Sequence, residues 1–121
     1  MKRLGIIGFG TMGEAFAAGL KRTMPNLPLT VFDAKSARVE EAARTAGLTV
    51  ARSAGEVLEA SDLTILCVKP QDLGALASEV RERSHGKRIV SILAGKRIQT
   101  ISEGLATDQV ARFMPSLAAV T

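Results

Sequence analysis

Apolar residues along this chain of 121 follow two periods in turn. Six short runs rich in aliphatic and β-branched residues, at 3–8, 29–33, 48–51, 63–69, 88–93 and 110–113, have the length and composition of buried strands. Between the first two, Met12, Ala15, Phe16, Gly19 and Leu20 recur on one helical face, and Gly19 is expected to let helix and sheet approach closely. A second helix carries Val39, Ala42, Ala43 and Ala46, with Ser36 as its cap and Gly47 as its stop. Ser53-Ala54-Gly55-Glu56 has the form of a capping box and predicts a short helix over 54–60. Past Pro70, Leu73, Leu76, Ala77 and Val80 make a fourth apolar stripe, and Ile98, Ile101 and Leu105 suggest a fifth. Strand runs alternating with helical ones predict a parallel sheet covered by crossover helices, in one domain spanning residues 1–121.

Chemistry enters at the first strand-to-helix junction. Gly8-Phe9-Gly10-Thr11-Met12-Gly13 is a Gly-x-Gly-x-x-Gly that closes an apolar strand and opens an amphipathic helix. In that context Gly8 allows a tight turn, Gly10 lets backbone amides meet a pyrophosphate, and Gly13 brings helix against strand. The helix start adds unpaired N–H groups and a favourable dipole. Asp33, 20 residues after Gly13 at the end of the second strand, suits a carboxylate that accepts from an adenosine ribose. Ala34, Lys35, Ser36 and Arg38 follow; two cations and a hydroxyl suit a 2′-phosphate, and equally a solvated helix start. The fold class expected is therefore α/β, a Rossmann-type doubly wound, mainly parallel six-stranded sheet with helices on both faces. Its cofactor is NAD(P)H, with the choice between NAD and NADP open. Val68-Lys69-Pro70, after Cys67, and Ala94-Gly95, closing Ser91-Ile92-Leu93, would lie at the ends of the fourth and fifth strands and join the cofactor site. Each also reads as a plain strand followed by a turn.

Composition removes several other classes. A net charge of +4 is spread along the chain and aromatic residues are 3%, so neither the basic stripe nor the stacking platforms of a nucleic-acid binder are present. Cys67 is the single cysteine and lies in an apolar run, which fits a buried thiol in a reducing, cytoplasmic setting. Lys2-Arg3 and the apolar residues after them imitate a secretory signal, but Gly5, Gly8, Gly10, Gly13 and Glu14 break its core. No run reaches the roughly 18 apolar residues of a membrane span, and no metal-ligand spacing stands out. His85, between Ser84 and Gly86, reads as a turn residue.

Taken together, these pieces resemble the amino-terminal domain of pyrroline-5-carboxylate reductase. The resemblance rests on Ile6-Ile7-Gly8-Phe9-Gly10-Thr11-Met12-Gly13, Ser53-Ala54 with Glu56-Val57, Val68-Lys69-Pro70, 91–95, and Arg112-Phe113-Met114-Pro115. It implies an NAD(P)H-dependent oxidoreductase acting on a small cyclic imine in proline biosynthesis. In such enzymes the first loop and the Val-Lys-Pro segment contact the dinucleotide, while the Met-Pro segment borders nicotinamide and substrate. Met114, Pro115 and Ser116 are thereby placed on the substrate side. Ser116 stands where the family usually has Asn, which keeps reductases of other imines or of β-hydroxyacids as alternatives. The resemblance also implies a helical dimerisation domain after Thr121. Without it this chain is expected to be half an enzyme, inactive alone, with homo-oligomers only where that domain follows. No catalytic acid is assigned, and a chain complete at Thr121 would instead suit a non-catalytic dinucleotide-sensing module.

Overall fold

A computed structural model of the chain describes residues 3–34, 37–80, 87–91 and 110–112. Its strands are β1 (Leu4–Ile7), β2 (Leu29–Phe32), β3 (Thr49–Val50), β4 (Leu63–Leu66), β5 (Arg88–Ser91) and β6 (Val110–Arg112). The helices are α1 (Thr11–Thr23), α2 (Ala37–Ala46), α3 (Ala54–Ala60) and α4 (Leu73–Val80), the last entered through a 3-10 turn at Pro70–Asp72. Every strand pair is parallel, in the order β3-β2-β1-β4-β5-β6. This is an α/β parallel sheet with helices, as the alternating periods predict. Each strand falls within its predicted run but is shorter; after β1, β2 and β4 the residues past the last ladder pair turn into the loops that build the site.

Side-chain alternation along the strands divides the interior in two. Leu4 and Ile6 of β1, Leu29 and Val31 of β2 and Ile65 of β4 pack with Ala17 of α1 and Val39 of α2. Ile7, Leu66 and Ile89 pack with Val57 and Leu58 of α3 and with Leu73, Leu76, Ala77 and Val80 of α4. The four α4 residues are the stripe read from its period. At about 25 cal/mol per Å² of apolar surface, each large side chain buried this way contributes roughly 1.5–3 kcal/mol.

Local signals account for the helix limits. Ser53 caps α3, its hydroxyl accepting from the Glu56 N–H at 3.1 Å. Gly47 ends α2 with φ +73° and donates to the Ala43 carbonyl at 2.9 Å. Lys21 Nζ donates to the carbonyls of Pro25 (3.0 Å) and Leu27 (3.2 Å), tying the end of α1 to the turn before β2.

One expectation is corrected. Gly19 does not mediate close packing, since a Cβ there would meet nothing within 4 Å. Close approach falls at Gly13, where a Cβ would run into the Gly8 carbonyl oxygen, and at Gly5, where it would collide with the Ser61 hydroxyl and lie 2.5 Å from Val57 Cγ1 of α3. The small-residue row of α1 against the sheet is Gly13 and Ala17, one turn apart and both buried. The predicted fifth helix and His85 lie outside the described residues.

Candidate functional site

Three neighbouring strands end at one level. Ile7 is in register with Phe32 of β2 and with Leu66 of β4, so Gly8, Asp33 and Cys67 are the first residues past the sheet on adjacent strands. Backbone bonds hold the three ends together: Gly8 N–H donates to Phe32 O and Cys67 N–H to Ile7 O, both at 2.8 Å. Between β1 and β4 the chain order reverses, since β2 and β3 lie on one side of β1 and β4 onward on the other. Ligands of open parallel sheets bind in the crevice beyond the carboxyl ends at such a reversal.

The glycine-rich turn has the shape its spacing predicts. Gly8 has φ +97°, a conformation that side chains disfavour, and a Cβ there would lie 2.6 Å from the backbone of Cys67 and Val68. Gly13 lets the first turn of α1 pass directly over the Gly8 carbonyl. Gly10, by contrast, is exposed, and a Cβ would meet nothing within 4 Å. Gly10 is the N-cap of α1 and offers no side-chain bond to it. The first intrahelical bond runs from Glu14 N–H to Gly10 O at 2.9 Å, so the amides of Thr11, Met12 and Gly13 precede it. An uncapped helix start beside an open approach fits a diphosphate, whose oxygens would take the place of the missing cap.

Phe9 is divided in function. The residue is 2% exposed and belongs to the core with Leu4, Val31 and Val39. Its N–H donates to Asp33 Oδ2 at 2.6 Å, so the carboxylate read as a ribose acceptor also holds the turn. Periodicity gave no signal for that bond, because Phe9 and Asp33 are 24 residues apart. Met12 is half-buried and Ala34 exposed, while Arg38 is the second residue of α2.

On the β4 side, Val68 packs against the core shared with α4. Lys69 is exposed, and its carbonyl accepts from Asp72 N–H at 2.9 Å, closing the 3-10 turn that starts at Pro70. Cys67 lies beneath the glycine turn, 3.5 Å from the position a Gly13 Cβ would take. Burial pushes its thiol up to about 12, so it is a packing group at neutral pH. Gly8 to Gly13, Asp33, Ala34 and Val68 to Pro70 are thus gathered at one sheet edge. Lys35, Ser36, Ala94, Gly95, Met114, Pro115 and Ser116 lie outside the described residues. Among the described residues, no cluster of three or more His, Cys, Asp or Glu could hold a metal ion, and no helix is long and apolar enough to cross a membrane.

Sheet order, glycine turn and terminal carboxylate define the class, a parallel α/β domain of the kind found in dinucleotide-dependent oxidoreductases. Within that class the chain belongs to the family described as NADP oxidoreductase, coenzyme F420-dependent, whose profile matches residues 3–95. It is similar to the pyrroline-5-carboxylate reductase of Synechocystis, 31% identical over 116 residues that cover 94% of this chain and 43% of that protein. Among solved structures it is similar to the Plasmodium falciparum pyrroline carboxylate reductase with NADP bound: TM-score 0.80, 21% identity, 98% of this chain and 44% of that one. It is also similar to a variant imine reductase from Myxococcus stipitatus in complex with NAD+, with TM-score 0.77, 24% identity, and coverage of 96% and 42%. The two structural likenesses establish a shared fold. The chain spans less than half the length of the relatives it matches.

Proposed function

We propose that this chain is the NAD(P)H-binding domain of a reductase that transfers hydride to a cyclic imine, with pyrroline-5-carboxylate the substrate that its resemblance favours. In this reading the complete domain is a doubly wound six-stranded Rossmann-type fold. The observation that carries the proposal is the uncapped start of α1 over the Gly8 carbonyl, open at Gly10, at the point where the strand order reverses. The amides of Gly10, Thr11, Met12 and Gly13 would receive the diphosphate. Asp33 would accept from the adenosine ribose, and Lys35, Ser36 and Arg38 would line the position of a 2′-phosphate. Val68, Lys69, Pro70, Ala94 and Gly95 would border the nicotinamide half, with Met114, Pro115 and Ser116 on the substrate side. Reduced nicotinamide supplies the hydride; the chain's own residues bind, orient and exclude water. Both dinucleotides are compatible with the site, in keeping with the NADP and NAD+ of the two structural neighbours.

Ser116 in place of the usual Asn, together with the imine reductase neighbour, favours a second reading in which another imine is the acceptor. Titration of this chain with NADH and NADPH, followed by reduced-nicotinamide fluorescence, tests the cofactor step. Saturable binding of at least one is expected, and binding of neither removes the proposal. Turnover is tested in a protein that carries a following substrate domain, by loss of NADPH absorbance with pyrroline-5-carboxylate or a six-membered cyclic imine. Faster consumption with the six-membered ring would select the second reading.

A further inference from the structure

We infer that Asp33 is a positioning residue, which holds the glycine-rich turn in its diphosphate-receiving shape before any ligand arrives. The inference rests on the dinucleotide reading above and adds a role separate from any contact to a ribose. Three glycines in six residues give this segment wide conformational freedom, and the N-cap of α1 supplies no side-chain bond to restrain it. Two successive amides are instead tied to the last residue of β2 and the one after it: Gly8 N–H to Phe32 O at 2.8 Å and Phe9 N–H to Asp33 Oδ2 at 2.6 Å. The second bond is short and charge-assisted. With the Phe9 ring anchored in the core, the turn inherits the orientation of the β2 end, and the approach to Gly10 is left open. The bond to Phe9 forms without any ribose present, so this role of the carboxylate is independent of its contact to the ligand. Preorganisation of this kind strengthens binding by lowering the ordering cost met when the ligand arrives.

Asp33→Asn and Asp33→Ala separate the roles, because both lose the charge and only the first keeps an acceptor at the right reach. Inorganic pyrophosphate is the probe, since it has no ribose. Amide exchange at Phe9 is expected to be about fivefold or more faster in Asp33→Ala than in Asp33→Asn, and pyrophosphate about fivefold weaker, the size of one hydrogen bond. Asp33→Ser, with a hydroxyl too short to reach Phe9, substitutes for the alanine variant if that fails to fold. Equal Phe9 exchange and equal pyrophosphate affinity in the two variants would overturn the inference, even if NADH binds normally. Conversely, exchange that depends on Asp33 in a chain that binds neither dinucleotide would keep the clamp and remove the cofactor reading.

Discussion

Glycines at 5, 8, 10 and 13 meet different demands although they look alike in the chain. Gly13→Ala would press a methyl group onto the Gly8 carbonyl, a backbone atom that cannot swing away. A loss of roughly 1–3 kcal/mol is expected, as for overpacked sites, read from the urea midpoint. Gly10→Val enters open space, so its midpoint should move by less than about 1 kcal/mol, near the range of surface substitutions. Dinucleotide affinity should nevertheless collapse in that variant, because the branched side chain occupies the approach to the amides; unchanged affinity would show the turn to be misassigned. Cys67 gives the pH prediction. Its thiol, raised by burial to about 12, is protonated in the folded chain while an unfolded thiol ionises near 9. The folded state therefore binds the proton more tightly, and this contribution to stability is complete below pH 9 and lost as pH climbs toward 12. Labelling by a disulfide reagent at pH 8 should be much slower in the native chain than in urea, and equal rates would contradict the burial.

Among the elements, α3 is the one whose limits local chemistry specifies most fully. Ser53 accepts from the Glu56 amide, and Ala54, Val57 and Leu58 bury its inner face. Ser53→Ala should cost about 1 kcal/mol through the lost cap, measurable by thermal unfolding, and Ser53→Asp should restore most of it. The start of α1 is the reverse case, a helix of 13 residues whose N-cap is a glycine without a side-chain bond. Ser, Thr or Asp would supply the side-chain bond that Gly10 lacks, and the proposed diphosphate would take that bond's place. Strand limits were less legible than strand existence. Gly8, Asp33, Cys67, Val68 and Lys69 extend the apolar or extended pattern of their runs, yet lie outside the ladders because the chain must leave the sheet to form the turn and the crossing to α4.

Across the whole molecule, the two edges of the sheet are held differently. At the edge away from the site, Arg3 Nη2 meets Asp62 Oδ1 at 3.0 Å, with Arg3 N–H to Asp62 Oδ2 at 2.9 Å and Asp62 N–H to Arg3 O at 3.0 Å. The bond and charge of Asp62 raise the Arg3 guanidinium. Both side chains are exposed, at 50% and 39%, so solvent screens the pair and Arg3→Ala is expected to change the thermal midpoint little, and less still in high salt. At the site edge, backbone bonds join the strand ends, and a dinucleotide bound there as proposed, at one hundred times its dissociation constant, should add about 2.7 kcal/mol of stability. A melting temperature that rises with NADPH in the native chain and not in Gly10→Val would show that both measurements report the same turn.

The sequence by itself determined the alternation of strands and helices, the α4 stripe, the α3 cap and the glycine turn at the end of β1, because each depends on residues within a few positions of one another. Tertiary structure decided what sits beside what. It set the strand order and brought Asp33 to the Phe9 amide. It also moved close packing from Gly19 to Gly5 and Gly13, and sank the Phe9 ring into the core while leaving its backbone in the turn. Those outcomes join residues far apart in the chain, 24 positions for Phe9 and Asp33, and the Arg3–Asp62 pair spans 59. Sequence periodicity shows which face of an element is apolar, and only the packed sheet determines which neighbour that face meets.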